Sequence, residues 1–155
     1  MLLTMEKILF LKSVPIFSGM TGEELMVLAE IVEEIEIKEG ETVFRENDPG
    51  EDLFVIVRGK VNIIRSEGTP SEAIIAMLEE RECFGEMSIL DDEPRSATVR
   101  TAADTLLLKI QQDEFRELIR EEPDVAFKVF RVFTRRLRNA QPEPELQQAP
   151  IQGSV

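Results

Sequence analysis

The sequence predicts a mainly β fold with flanking α-helices: a jelly-roll β-barrel with N-terminal helices and a C-terminal lid helix. Three observations lead there. Between Glu34 and Ile110 the apolar residues fall in short runs separated by turn residues, the breaks being Gly40, Asn47-Asp48-Pro49-Gly50, Gly59 and Glu67-Gly68-Thr69-Pro70. On either side of that span the apolar period changes to that of a helix. At 155 residues the chain is one domain by length, large enough for a real core.

Taken in order, Met5 to Leu11 reads as a short helix leading into a turn at Val14-Pro15-Ile16-Phe17. Thr21-Gly22-Glu23-Glu24 has capping-box spacing, and Leu25, Leu28 and Val32 lie on one face of the helix it opens. From Glu34 the period is two: Ile35 and Ile37 alternate with charges, Thr42 to Arg45 is extended, and Leu53 to Val57 is apolar enough for a buried strand. Val61 to Arg65, Glu72 to Leu78, Ala97 to Ala102 and Thr105 to Ile110 complete the strand set. Such closely spaced short strands are the pattern of sandwiches and jelly rolls.

Helix returns after Asp113, with Phe115, Leu118 and Ile119 at helical spacing and Pro123 placed to start a second helix. In the segment 124–139, Ala126, Phe130, Phe133 and Leu137 form one stripe, which Val125, Phe127, Val129 and Val132 widen to roughly 220°. That is about twice what one barrel face needs, so the helix has apolar surface for a second contact, a partner or the N-terminal helices. Lys128, Arg131, Arg135 and Arg138 fill the remaining arc as a solvated face. Pro142, Pro144 and Pro150 among glutamines mark 142–155 as a disordered tail.

Composition narrows the function. The formal net charge of −13 opposes binding to nucleic acid and to anionic lipid. No apolar run reaches the roughly 18 residues of a membrane span, so membrane insertion is not expected. With no histidine, the ligand sets of a jelly-roll metalloenzyme are missing, and no metal site or catalytic residue is expected. The single cysteine, Cys83, excludes an internal disulfide and fits a cytoplasmic location.

The stretch from Phe84 to Val99 stands apart. Gly85 permits a turn that a side chain would forbid. Glu86 to Leu90 is long enough for about one helical turn, whose free N–H groups attract anions. Arg95 adds a fork of donors, and Glu86 an acceptor-only carboxylate. Together these suit an anionic sugar-phosphate. Taken alone, Glu86 and Arg95 would more often make a surface ion pair.

Phe84, Gly85, Glu86, Ser88, Leu90, Pro94, Arg95, Ser96 and Ala97 resemble, with the same spacing, the phosphate-binding cassette of cyclic nucleotide-binding domains. That family includes catabolite activator proteins, kinase regulatory subunits and gated channels. The resemblance implies a cyclic nucleotide-binding domain over 1–141, with helices in 5–32, a β-barrel over 34–110 and C-terminal helices in 113–141. It implies cAMP or cGMP as ligand and no cofactor. Arg95 is expected on the exocyclic phosphate oxygens and Glu86 on the ribose 2′-hydroxyl. Gly85, Met87 and Ser88 would add backbone contacts, and Ser96 and Ala97 a hydroxyl or amide to the phosphate. Phe84 belongs to the same ligand-binding set, and base contacts would fall at Ala140 and Gln141. The implied role is a regulatory module that moves its C-terminal helix, with a homodimer or an effector protein contacting the helix 124–139. The alternative is an interaction scaffold of the same fold that binds no ligand.

Overall fold

The computed structural model describes residues 1–87 and 91–140. Among the described residues, four helices, α1 (Thr4–Lys12), α2 (Gly22–Ile31), α3 (Gln112–Glu121) and α4 (Asp124–Ala140), flank eight strands. A 3-10 turn at Pro15–Phe17 joins α1 to the loop before α2. The strands are β1 (Glu33–Ile37), β2 (Thr42–Phe44), β3 (Asp52–Arg58), β4 (Val61–Arg65), β5 (Ala73–Leu78), β6 (Cys83–Phe84), β7 (Thr98–Thr101) and β8 (Thr105–Gln111). They form two four-stranded antiparallel sheets, ordered β1-β8-β3-β6 and β2-β7-β4-β5. The expected barrel is therefore a jelly-roll-like sandwich: the sheets face each other without closing into a ring.

Strand periodicity explains how one sheet serves two cores. In β3, Leu53 and Val55 point to the helices, while Phe54 and Ile56 point into the sandwich. β8 does the same, with Leu108 and Ile110 on the helical side and Leu107 inside. Strands buried on both faces read as continuous apolar runs instead of alternating ones, which is how Leu53 to Val57 reads. The helical core collects Leu11, Ile16, Phe17, Leu25, Leu28, Phe115, Leu118, Val125 and Val129, with Phe17 and Phe115 rings 6.4 Å apart.

The capping box at α2 forms as its spacing predicts. Glu24 N–H donates to Thr21 Oγ1 at 3.2 Å, and Glu24 Oε1 accepts from Thr21 N–H at 2.8 Å. The same Oε1 also accepts from Lys128 Nζ at 2.7 Å. Lys128 therefore does not belong to a solvated face. Its ion pair with the buried Glu24 sets the rotation of α4, so Val125 and Val129 are buried and Val132 and Phe133 pack beside them. Phe127, Phe130 and Leu137 then face solvent. The wide apolar arc thus divides into a core face and an uncovered face, with the core face on the valines.

Candidate functional site

Arg95 lies at the centre of the site, and its main chain is fixed first. Its N–H donates to the Asp48 carbonyl and its carbonyl accepts from Asn47 N–H, both at 2.8 Å. The Asn47-Asp48-Pro49-Gly50 turn is thereby clasped to the segment that carries the arginine. Asn47 sits at φ 74°, a conformation asparagine tolerates better than most residues. Asp48 also accepts Arg45 N–H through Oδ2 at 2.9 Å, which tightens the same turn.

Arg95 is only 6% exposed. Its Cζ lies 3.9 Å from the centroid of the Phe44 ring, a cation over an aromatic face. Phe44 is held in turn by Phe54 and Phe84, at ring distances of 6.0 and 5.9 Å, and those two stack 5.2 Å apart. Phe84 thus serves the site largely from beneath, as part of the aromatic bed on which the arginine rests. Burial draws the Arg95 pKa below its ordinary value, against the opposing pull of the Asp52, Asp48, Glu51 and Glu86 carboxylates. A guanidinium remains charged at neutral pH under such a shift.

Gly85 has φ +81°, and a Cβ placed on it would come within 2.7 Å of Arg95 Nη1 and 2.8 Å of the Asp52 carbonyl oxygen. Both the backbone angle and the close approach demand glycine here. Glu86 follows, half-buried, and Met87 is exposed. Ser88, and most of the helical turn expected over 86–90, lie outside the described residues, as do Gln141 and the tail at 142–155.

These residues border one cavity of about 590 Å³. Phe84, Gly85, Glu86, Met87, Arg95, Ser96 and Ala97 all line it, so the fold brings together every described member of the cassette set. One wall is apolar, with Ile63 from β4, Ala76 and Leu78 from β5 and Val99 from β7. Asp91 and Glu93 also border it, while Asp92 turns to Arg116 at 3.4 Å. A volume of this size, apolar with a few convergent charges, is typical of a small-molecule site.

Ala140, by contrast, is exposed at the end of α4 and is not among the cavity's lining residues. Four positions earlier, Arg136 is the one described residue of α4 that lines the cavity, and the sequence reading had assigned it no role. Arg136 stands seven residues after Val129, on a stripe that is identified as the core face only once the rotation of α4 is known. Burial pushes the Cys83 thiol up to about 12, with Glu86 adding to the rise and Arg136 opposing it. Such a thiol is a small apolar filler, not a nucleophile.

Among known proteins, the family model described as "Cyclic nucleotide-binding domain" matches residues 34–122, more than half of the chain. The chain belongs to the cyclic nucleotide-binding domain family. A "CRP-like cAMP-activated global transcriptional regulator" of Mycobacterium tuberculosis is 31% identical over 123 residues, 79% of this chain and 55% of the relative. The "Cyclic AMP receptor protein" of Thermus thermophilus is 34% identical over 136 residues, 88% of this chain and 63% of that one. The chain thus spans less than two thirds of the length of these curated relatives. Among solved structures, the N-terminal domain of a transcriptional regulator from Streptomyces coelicolor superposes with a TM-score of 0.75 at 31% identity, covering 84% of this chain and 91% of that one. As a cyclic nucleotide-binding domain, the chain has Arg95, Glu86 and Gly85 on one cavity. Among the described residues, no helix is long and apolar enough to cross a membrane.

Proposed function

We propose that the protein binds a cyclic nucleotide, cAMP or cGMP, and works as a cytoplasmic regulatory module, not an enzyme, over residues 1–141. The observation that carries this reading is the placement of Arg95: a buried guanidinium on an aromatic bed, lining a cavity of about 590 Å³ together with Gly85 and Glu86. A cyclic phosphate carries one negative charge, which a single guanidinium balances through charge-assisted hydrogen bonds. Arg95 takes the exocyclic oxygens, Glu86 accepts from the ribose 2′-hydroxyl, and the main chain of Gly85, Met87 and Ser88 with Ser96 and Ala97 completes the cradle. The aromatic bed and the Asn47–Asp48 clasp hold Arg95 before any ligand arrives, which lowers the ordering cost of binding.

Arg136 links this site to α4. As a second donor at the cavity it supports a role for the helix as the reporting element, since ligand oxygens within its reach favour one placement of α4 over another. A near-complete switch needs a preference of about 5.5 kcal/mol for the reporting state. The uncovered apolar face of α4, with Phe127, Phe130 and Leu137, is where a second copy or an effector would read that state.

Calorimetric titration of cAMP and cGMP into the wild type and Arg95→Ala tests the reading, with thermal melts confirming that the variant is folded. Wild-type binding of at least one nucleotide is expected, with a loss of 2–5 kcal/mol, roughly 30-fold or more in affinity, in the variant. If neither nucleotide binds at millimolar concentration, the chain is a scaffold of the same fold. Equal affinity in a folded variant removes Arg95 from the phosphate.

A further inference from the structure

We infer that Arg81 is a specificity-determining residue that meets the edge of the bound base at the rim of the cavity and selects guanine over adenine. The inference rests on the cyclic-nucleotide reading above and assigns the base-reading role that Ala140, with no polar side-chain group, does not fill.

The first observation is conformational. Arg81 has φ 73° and lies in the tight turn between β5 and β6. That turn is pinned to β3 on both sides: Arg81 N–H donates to the Ile56 carbonyl at 2.8 Å, and Ile56 N–H donates to the Glu82 carbonyl at 3.0 Å. A further bond from Glu82 N–H to the Glu79 carbonyl, 3.0 Å, closes the turn. The left-handed conformation is imposed by these bonds, and glycine would adopt it without steric penalty. Among the described residues, three non-glycine residues have positive φ: Asn47, Ser66 and Arg81. Arg81 has the longest side chain of the three and is the one that borders the cavity. Strain of this kind persists where the surroundings over-determine it and gathers at ligand sites.

The second observation is that the side chain is available. It is 59% exposed, and its ion contact is with Glu80 at 3.9 Å, at the surface, where such pairs hold weakly. Rotation of the long side chain toward the cavity gives up little.

The third observation concerns what the apolar wall of the cavity lacks. Arg95 is buried at the phosphate end, and the apolar wall of Ile63, Ala76 and Leu78 offers a base a flat surface but no side-chain donor. A base resting on that wall turns its polar edge toward the rim. Guanine presents two adjacent acceptors there, O6 and N7, which match the guanidinium fork, whereas adenine pairs its N7 acceptor with an N6 donor that a guanidinium repels.

The test is titration of cGMP and cAMP into the wild type, Arg81→Gly and Arg81→Lys, with thermal melts of each. The wild type is expected to prefer cGMP by about fivefold or more. Arg81→Gly relieves the backbone, so its Tm should rise by about 2–4 °C while the cGMP preference disappears and cAMP affinity stays level. Arg81→Lys keeps the charge and the strain but loses the fork, so its Tm should match the wild type while the preference narrows. A purely structural role for Arg81 would raise the Tm of the glycine variant and leave the preference unchanged, which overturns the inference. An equal loss for both nucleotides makes Arg81 a plain counter-charge and overturns it too, as does a wild-type preference for cAMP. The cyclic-nucleotide reading survives all three results. If the wild type binds neither nucleotide, that reading fails and this inference falls with it.

Discussion

Replacing Lys128 with methionine should destabilise the protein by about 2–3 kcal/mol at neutral pH and weaken ligand binding from a distance. The Glu24 side chain is 7% exposed, and its Oε1 accepts from both Lys128 Nζ and Thr21 N–H. Burial by itself raises the carboxyl pKa, but the Lys128 and Thr21 hydrogen bonds and the Lys128 charge together bring it below the ordinary value. Methionine keeps most of the volume and leaves a buried carboxylate with only Thr21. Breaking a fully buried pair costs about 3–5 kcal/mol; here the Lys128 side chain is 24% exposed, so water can reach the vacated position and the cost falls to the bottom of that range or just below it. Because the folded pKa of Glu24 is depressed, its contribution is present above the ordinary carboxylate range and is lost as pH falls through the folded value. In the variant burial dominates, and Glu24 protonates more readily when folded. The stability gap between wild type and variant should therefore shrink between pH 7 and about pH 4. Urea denaturation across that range measures it. A gap below about 0.5 kcal/mol at pH 7, the scatter of ordinary surface changes, or a gap that widens in acid, would refute the reasoning.

Two further outcomes follow from the site, beside those given for Arg95 and Arg81. Gly85→Ala should cost at least about 2 kcal/mol, since a left-handed angle alone carries about 1–2 kcal/mol for a residue with a Cβ; the Asp52 carbonyl, 2.8 Å from the new atom, is backbone and cannot move aside as a side chain could. A Tm equal to the wild type would show that the turn has more room than described. Cys83, with its pKa near 12, should stay unlabelled by thiol reagents at about pH 8 in the native protein and titrate as one thiol after unfolding; rapid native labelling would contradict its burial.

The elements most legible in the sequence are those whose signal is local. The Thr21–Glu24 capping box and the strand at Leu53–Val57 depend on neighbours in the chain and lie where their patterns predict, while the turn signalled at Asn47–Gly50 forms two residues earlier, closed by Asp48 N–H on the Arg45 carbonyl. The two-residue strand β6 was hidden, because Cys83 and Phe84 form a strand only by pairing with Val55 and Phe54 of β3. The rotation of α4 was hidden for a similar reason. An arc of roughly 220° offers several faces to the core, and an ion pair to Glu24, 104 residues away, chooses among them. Arg136 was overlooked because that choice was unknown. The stretch from Phe84 to Ala97 stands out in the sequence because its spacing is a local motif, and its described residues named as ligand-binding line one cavity; the aromatic bed beneath Arg95, drawn from β2, β3 and β6, has no such local signal.

In the proposed reporting role of the last helix, the Glu24–Lys128 pair would act as the pivot of a mechanical arm. From Lys128 to Arg136 is eight residues, about 12 Å along the axis at 1.5 Å per residue. With the near end held by the ion pair and the far end at the cavity, a tilt of about 5° about the pair displaces Arg136 by about 1 Å, enough to make or break a hydrogen bond. In that proposal the fulcrum and the sensing tip are separate residues. Substitutions at Lys128 should shift where the arm rests, and substitutions at Arg136 what its tip detects.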